Sequence, residues 1–147
     1  MNFILDQRIA TSCRLLGEWP LSSVLLKNNA HYPWLILVPR TPGIQDIDEL
    51  SRDHRIILMD EICFISSIVR SQFNPDKINV GALGNKVSQL HIHIVGRFKT
   101  DPLWPEGIWQ SGQPEEPYPQ DEYERLSSHL AGLLSSPFDL KRHNPST

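Results

Sequence analysis

Apolar and polar positions follow two different periods along the chain, and each change of period marks a predicted element. The first apolar residues recur at helical spacing before a glycine, which predicts a short amphipathic helix: Leu5, Ile9, Cys13, Leu16 and Gly17. Residues 22–26 and 34–38 are apolar runs joined by a polar stretch that suits a turn. These two runs therefore predict the strands of a β-hairpin.

The central part of the sequence predicts a long helix and a second hairpin. Apolar residues recur every 3.6 positions over residues 51–71, which predicts the main helix. Its apolar face is wide, so we expect the helix to lie against a sheet. Residues 77–83 and 87–98 are strand-like, and they predict an antiparallel hairpin with a tight turn at Gly84-Asn85.

The composition changes after the second hairpin. Residues 100–119 are rich in proline and tryptophan, which disfavours regular structure but allows the segment to wrap a surface. A last helix is predicted over residues 121–134, with Asp121 as its N-cap and Glu124 completing a capping box. Beyond Pro137 we expect a frayed tail.

The length of the chain suits one hydrophobic core. It has 147 residues, of which 39% are apolar. We therefore predict a single α+β domain over residues 1–147, an antiparallel sheet with the main helix packed on it and helices at both ends. The core is expected at about residues 1–98, with the tryptophan- and proline-rich segment 100–119 and the last helix (121–134) appended.

Charge and hydropathy narrow the expected partners. There are 14 basic and 17 acidic residues, a formal net charge of -3, so nucleic-acid binding is not favoured. The longest apolar run, residues 34–38, is too short to span a membrane. Asp6 and Arg8 interrupt the first apolar residues where an export signal would need them, so we expect a cytoplasmic protein.

Candidate chemistry lies in the strictly alternating string from Gln89 to Val95. Side chains on a strand alternate between its faces, so Gln89, His91 and His93 are predicted to share one face. The other face would be apolar and would pack on the core. Neighbours on one face of a strand lie roughly 7 Å apart. This spacing lets one imidazole approach a phosphorus atom while the next contacts a phosphate oxygen.

Three interpretations of this histidine pair stay open on the residues alone. Imidazole suits phosphate chemistry because it can be a neutral nucleophile or a protonated acid near neutral pH. The pair could instead be a polar stripe that faces solvent. It could also begin a zinc site, but a third ligand is needed, and the remaining histidines and cysteines have no ligand-like spacing to the pair.

The string also resembles a known family motif. Gln89-Leu90-His91-Ile92-His93-Ile94-Val95 is similar to the H-x-H-x-H-x-x motif of the histidine triad (HIT) family, with Gln in place of the first His. Gly84-Asn85-Lys86-Val87 resembles the lead-in of that motif, and residues 34–40 resemble the family's central strand, which ends in Pro-Lys/Arg. The predicted main helix falls where the family has its own, so the resemblance covers residues from about 20 to 98. Bacterial HIT-domain proteins with the Gln-x-His-x-His variant also carry a similar tryptophan- and proline-rich segment.

The resemblance implies a HIT-like fold, a homodimer, and hydrolysis or transfer at the α-phosphate of nucleotide conjugates. His91 aligns with the nucleophile that forms a nucleotidyl-histidine intermediate, and His93 with the histidine that binds phosphate oxygens. Candidate substrates are purine nucleotide conjugates, including diadenosine polyphosphates and phosphoramidates. No cofactor is expected, apart from Mg²⁺ that a phosphorylated substrate would carry.

Gln89 is the departure from the family pattern. An amide can hydrogen-bond to a phosphate, but it cannot relay a proton as an imidazole does. The reaction rate and the preferred leaving group are therefore expected to differ from those of members with the first His. Gln89 is nevertheless kept as a catalytic candidate. The competing hypothesis is a nucleotide-binding module of the same fold whose catalysis has weakened.

Four further residues are candidates for nucleotide binding. Lys86 would supply positive charge to the phosphates, and Asn85 stands beside it in the lead-in to the motif. The resemblance places Asn28 near the ribose-contacting strand and Asn79 near the phosphate or the leaving group. Trp104 and Trp109 fall in the segment after the motif, where they either close over a substrate or fix that segment to the surface; their roles stay open.

Overall fold

A five-stranded antiparallel sheet forms the centre of the molecule. The computed structural model describes residues 2–110, 112–113 and 115–135. The strand order is β1-β2-β3-β5-β4. The strands are β1 (Cys13–Glu18), β2 (Ser22–Lys27), β3 (Trp34–Pro39), β4 (Lys77–Gly81) and β5 (Ile92–Arg97). The helices are α1 (Gln7–Ala10), α2 (Arg52–Phe73) and α3 (Gln120–Ser135), with a 3₁₀ turn at Ile47–Glu49.

The main helix confirms its sequence prediction closely. Ser51 is the N-cap of α2, and its side chain accepts a hydrogen bond from the backbone of His54 at 3.2 Å. The helix ends at Asn74, whose φ of 51° is the left-handed conformation that commonly ends a helix. Its buried face packs on one side of the sheet and, together with α3, builds the main core. The predicted α+β fold is confirmed.

Among the described residues, short or irregular elements cover the opposite side of the sheet. A smaller apolar cluster lies there, the cavity-side cluster, made of Ile9, Leu25, Ile36 and Val38. In the part of the chain that the structure describes, no helix is long and apolar enough to cross a membrane. Because none of the long helices in the described ranges covers this side, it has room for a cavity over the middle strands.

The predicted N-terminal helix is mostly wrong. Only Gln7–Ala10 is helical, and Cys13–Glu18 is strand β1. Cys13 packs against the cavity-side cluster while Leu16 packs against the main core, so the two residues lie on opposite sides of the sheet. Their three-residue spacing looks helical but belongs to a strand, whose pairing with β2 shifts register between Leu15 and Gly17.

The second hairpin exists without its tight turn. Strands β4 and β5 pair antiparallel, but they are joined by a ten-residue connecting loop (residues 82–91). Gln89 and His91 therefore lie in this loop and not on a strand face with His93, contrary to the prediction. The apolar half of the motif is as predicted, because Leu90, Ile92 and Ile94 are buried in the main core.

The last part of the chain follows its prediction with one change. The described residues of segment 100–119 contain no helix or strand. Helix α3 begins at Gln120, so Asp121 lies in its first turn and is not the N-cap. Leu130 and Leu134 are buried against the main core, with Leu126 and Leu133 beside them, as expected. The predicted frayed tail lies outside the described residues.

Candidate active site

The cavity lies over the side of the sheet that α2 leaves uncovered. Its volume is about 480 Å³, within the usual range for small-molecule sites. His91 and His93 line it together, and Asn85 and Lys86 reach it from the connecting loop. The structure thus brings four of the predicted site residues to one cavity.

His91 is held by the backbone of its own loop. Its Nδ1 lies 2.7 Å from the carbonyl oxygen of Gln89, and the side chain is nearly buried, with 8% of the residue exposed. A carbonyl oxygen can only accept a hydrogen bond, so Nδ1 carries the proton. The unprotonated nitrogen of the neutral His91 ring is therefore Nε2, which has a free lone pair.

His93 is held in the opposite tautomer. The indole Nε1 of Trp34 donates a hydrogen bond to Nδ1 of His93 at 3.0 Å. An indole N–H can only donate, so Nδ1 of His93 is the unprotonated nitrogen and Nε2 carries the proton. Burial, with smaller contributions from His91 and Lys27, lowers the pKa of His93 to about 3. His93 is therefore a neutral hydrogen-bond donor at ordinary pH.

The two rings form a complementary pair. Their centroids are 4.9 Å apart, closer than the spacing expected for two residues on one strand face, and the rings meet edge to face. One ring supplies a lone pair at Nε2 and the other an N–H at Nε2. This arrangement can attack an electrophilic centre and at the same time donate a hydrogen bond to an oxygen on that centre.

The tautomer of His93 gives a direct prediction. We expect His93 not to titrate between pH 5 and 8 in ¹H–¹⁵N spectra, with its proton on Nε2 throughout. Because the unfolded chain binds a proton at His93 near pH 6.5 and the folded protein does not, His93 makes the free energy of unfolding rise with pH between about 3 and 6.5.

Trp34→Phe removes the indole donor to His93. The His93 ring should then show mixed tautomers, and activity should fall about 10-fold or more. A His93 midpoint near 6.5 in the unmodified protein would contradict the assignment.

Trp109 forms a wall of the cavity beside His93. The two ring centroids are 5.9 Å apart. The indole also packs over Gly81, where a Cβ would lie 3.2 Å from its Cη2 atom. Trp104 has a different place, since its ring lies over the guanidinium of Arg97 at 5.8 Å. Of the two tryptophans in segment 100–119, Trp109 therefore closes the site and Trp104 fixes the segment.

Positive charge surrounds the histidine pair. Arg8, Lys27 and Lys86 line the cavity, with Glu115 as the acidic residue among the lining positions that the structure describes. The ammonium group of Lys27 lies over the Trp34 ring, 5.6 Å from its centroid. In the described ranges, no group of three or more His, Cys, Asp or Glu residues could hold a metal ion. The positive charge of Lys27 and Lys86 favours an anionic ligand such as a phosphate in this cavity.

Three predicted site residues lie away from the cavity lining. Oδ1 of Asn28 accepts a hydrogen bond from the backbone of Tyr118, which fixes segment 100–119 to the sheet. Oδ1 of Asn79 accepts one from Arg97 at 2.9 Å. The carboxamide of Gln89 is bound to the backbone near the N-terminus. The structure thus gives all three amides partners within the protein.

Several residues that line the cavity are not indicated by the sequence patterns. The pattern of residues 34–38 predicts only an apolar strand, whereas Trp34 on it fixes the tautomer of His93. Asn29 lines the cavity where Asn28 was expected, one position away in the turn between β2 and β3. The pairing of β3 with β5, which sets Ile36 opposite His93, brings the Trp34 side chain to that ring. Residues 34–38 are apolar throughout, so no polar alternation along β3 indicates which face Trp34 lies on, and the register against β5 is not encoded locally.

Comparison with known proteins gives a consistent result. The model of the HIT domain matches residues 10–100. A histidine triad protein from Marinobacter aquaeolei is 40% identical, with a TM-score of 0.86 over 91% of this chain and 97% of that one. A histidine triad protein from Bradyrhizobium japonicum is 35% identical, with a TM-score of 0.84 over 88% and 96%.

A more distant structure shares the fold alone. The diadenosine triphosphate hydrolase of Plasmodium falciparum is 17% identical, with a TM-score of 0.61 over 94% of this chain and 85% of that one. No curated protein sequence gives a significant match. The domain match and the two closer structures nevertheless agree with the motif and the histidine pair, and the chain belongs to the histidine triad (HIT) family.

Proposed function

We propose that this protein is a hydrolase or nucleotidyl transferase that acts at the α-phosphate of nucleotide conjugates. Members of its family are nucleotide hydrolases or transferases. The observation that carries the proposal is the pair of opposite tautomers, a lone pair on His91 beside an N–H on His93, in a cavity rich in positive charge.

The reaction would proceed in two displacements. The Nε2 lone pair of His91 attacks the α-phosphorus, and the bond to the leaving group breaks with its electron pair. The Nδ1–H bond to the Gln89 carbonyl stabilises the positive charge that His91 acquires. A water molecule then attacks the phosphorus and loses a proton to solvent, while the P–Nε2 bond breaks and its electron pair returns to His91. This step releases the nucleoside monophosphate and regenerates the neutral His91 ring. An acceptor other than water would make the second step a transfer.

His93 would donate a hydrogen bond to the phosphate oxygens and would not act as a base. Its neutral Nε2–H donates to a non-bridging phosphate oxygen, where negative charge rises in the transition state. Lys27 and Lys86 add positive charge along the same cavity. Asn85 would contribute an amide to the phosphates, and we assign the ribose contact to Asn29 in place of Asn28.

The nucleoside would occupy the apolar end of the cavity. Ile9, Ile36 and Val87 line it, and the first two belong to the cavity-side cluster. Apolar walls with a few polar groups are typical of sites for a planar base. A purine nucleotide is the expected ligand.

A homodimer is proposed as well. Strand β4 is an edge of the sheet, and Val80 on it is 47% exposed. Ile56 and Met59 on α2 are 51% and 58% exposed. An unpaired strand edge and exposed apolar side chains on a helix are both features suited to pairing with a second copy of the chain.

The second candidate function is a nucleotide-binding module with little or no turnover. One observation favours it: Gln89 is an amide, which cannot give a proton to a leaving group, and its side chain is bound to backbone atoms away from the cavity. The leaving group would then have to depart unassisted or with help from another donor. This candidate predicts AMP binding without product and without a covalent adduct.

A substrate panel separates the two candidates. We expect AMP release, measured by chromatography, from at least one of diadenosine tetraphosphate, an adenosine phosphoramidate and an adenylated amine. Comparing the three rates identifies the leaving group that the site accepts. AMP binding by calorimetry with no release from any substrate would favour the binding module, and the absence of both would contradict both candidates.

A further inference from the structure

The carboxamide of Gln89 binds the N-terminal segment (residues 2–10) through both of its polar atoms. Its Oε1 accepts a hydrogen bond from the backbone N–H of Asp6, and its Nε2 donates one to the carbonyl of Ile4, each at 2.8 Å. These two backbone groups flank residue 5. The side chain therefore pairs with the segment as the N–H and C=O of one residue pair with a neighbouring parallel strand.

Arg8 gives the same segment a second attachment to the connecting loop. Its Nη1 donates to the carbonyl of Lys86 at 3.0 Å. Asp6 holds Arg8 in place, because its carboxylate caps the first turn of α1 and forms an ion pair with the guanidinium at 3.0 Å. The segment is thus bound to the loop at residues 86 and 89.

Apolar contacts complete this attachment. Phe3 and Leu5 pack against the cavity-side cluster, and Val87 of the connecting loop packs against the same cluster. The N-terminal segment and the loop therefore share one apolar support as well as three hydrogen bonds. A loop with this many contacts is expected to move less than an unsupported loop of ten residues.

The backbone carbonyl of Gln89 forms a separate contact, with the His91 ring. Its carbonyl oxygen lies 2.7 Å from Nδ1 of His91 and sets the tautomer of that ring. The carboxamide of Gln89 binds the N-terminal segment, and the backbone carbonyl of the same residue binds the His91 ring. Loss of the carboxamide bonds would therefore shift the carbonyl that orients His91.

We propose that Gln89 is a positioning residue, which binds the N-terminal segment through its carboxamide so that its own carbonyl orients His91 for attack. The role at the nucleophile rests on the proposed function. In this arrangement Gln89 has a role of its own and is more than a first histidine without its proton relay. Its side chain pairs with the N-terminal backbone and does not line the cavity. An imidazole cannot replace it, since its two ring nitrogens point in diverging directions and cannot both reach Ile4 and Asp6.

The test compares Gln89→Ala, Gln89→His and the isosteric Gln89→Glu with Gln72→Ala as the control. Glu keeps the volume and an acceptor for Asp6 but, when ionised, has no donor for Ile4. Gln72 is an exposed residue at the end of α2 whose side chain bonds His129, so its loss changes a similar contact away from the cavity. Three readouts apply to each variant: amide exchange of Asp6, the ¹⁵N shifts of the His91 ring, and kcat and KM.

We expect Gln89→Ala and Gln89→His to lose exchange protection at Asp6, and Gln89→Glu, which keeps the acceptor, to retain more of it. All three variants lose the bond to Ile4 and should show mixed tautomers at His91. The kcat value should fall about 10- to 100-fold with little change in KM, because an orienting contact is lost and no binding group is removed. Gln72→Ala should match the unmodified protein in every readout.

Two results would overturn the proposal. A rise in kcat in Gln89→His would mean that the position serves as a proton relay, and an unchanged His91 tautomer in Gln89→Ala and Gln89→Glu would mean that the carboxamide does not orient the ring. The exchange and ¹⁵N measurements need no substrate. If the unmodified protein shows no turnover, the proposed function fails while these two measurements still decide whether Gln89 orients His91.

Discussion

Arg97→Met is expected to destabilise the protein by about 3–5 kcal/mol, the usual effect of removing one partner of a buried ion pair. Arg97 and Asp101 have side chains that are 1% and 2% exposed, and they meet through two hydrogen bonds of 2.8 and 3.1 Å. The guanidinium also lies over the rings of Tyr32 and Trp104, at 5.6 and 5.8 Å. Methionine keeps the apolar contacts but leaves the carboxylate buried without a counter-charge.

Arg97→Met is also expected to affect the active site, through the contacts of Asp101. Its carboxylate also accepts hydrogen bonds from the backbone of Phe98, Leu103 and Trp104. Burial alone would raise the pKa of Asp101, but Arg97 and these backbone donors hold it below the usual value. Since Asp101 begins the segment that places Trp109 beside His93, Arg97→Met should loosen the cavity wall as well as lower the stability.

A matched pair on the surface provides the control. Arg125 and Asp121 are also four residues apart, at 3.4 Å, but their side chains are 73% and 77% exposed. Arg125→Met should change the free energy of unfolding by less than about 1 kcal/mol, because water screens the exposed pair. The free energy of unfolding of both variants is measured by urea denaturation. Equal losses in the two variants would contradict the prediction, because they would show that burial of the Arg97–Asp101 pair has no special effect.

His91→Ala is expected to lower nucleotide release by about 10³-fold or more, because no other group can form the covalent intermediate. The variant should stay folded, since it loses a single hydrogen bond to a backbone carbonyl, and circular dichroism with thermal unfolding checks this. His129→Ala serves as the control. His129 is an exposed residue on α3 that bonds Gln72, so this variant should keep full activity. Undiminished release by His91→Ala would contradict the mechanism.

The sequence was sufficient for the fold class and the main helix because its strongest patterns are local. The 3.6-residue period of α2, the apolar runs of β2 and β3, and the alternation from Leu90 to Ile94 each depend on residues a few positions apart. The motif then identified both histidines, and the structure brings them together. These parts of the site follow from spacing within a single short string.

The rest of the site depends on contacts between distant residues. The donor to His93 is Trp34, 59 positions away, and the partners of the Gln89 carboxamide are 83 and 85 positions away. Such contacts are set by strand register and by the path of loops, which no local period encodes. The same reason explains why Asn29 and not Asn28 reaches the cavity, and why Cys13 and Leu16 lie on a strand in place of a helix.

The most direct test of the central claim is intact-protein and peptide mass spectrometry of the enzyme, quenched in alkaline denaturant during turnover. We expect one nucleotidyl group on the peptide that contains His91, and none in His91→Ala. Release of nucleotide with no adduct at any time point, or an adduct on a residue other than His91, would contradict the account.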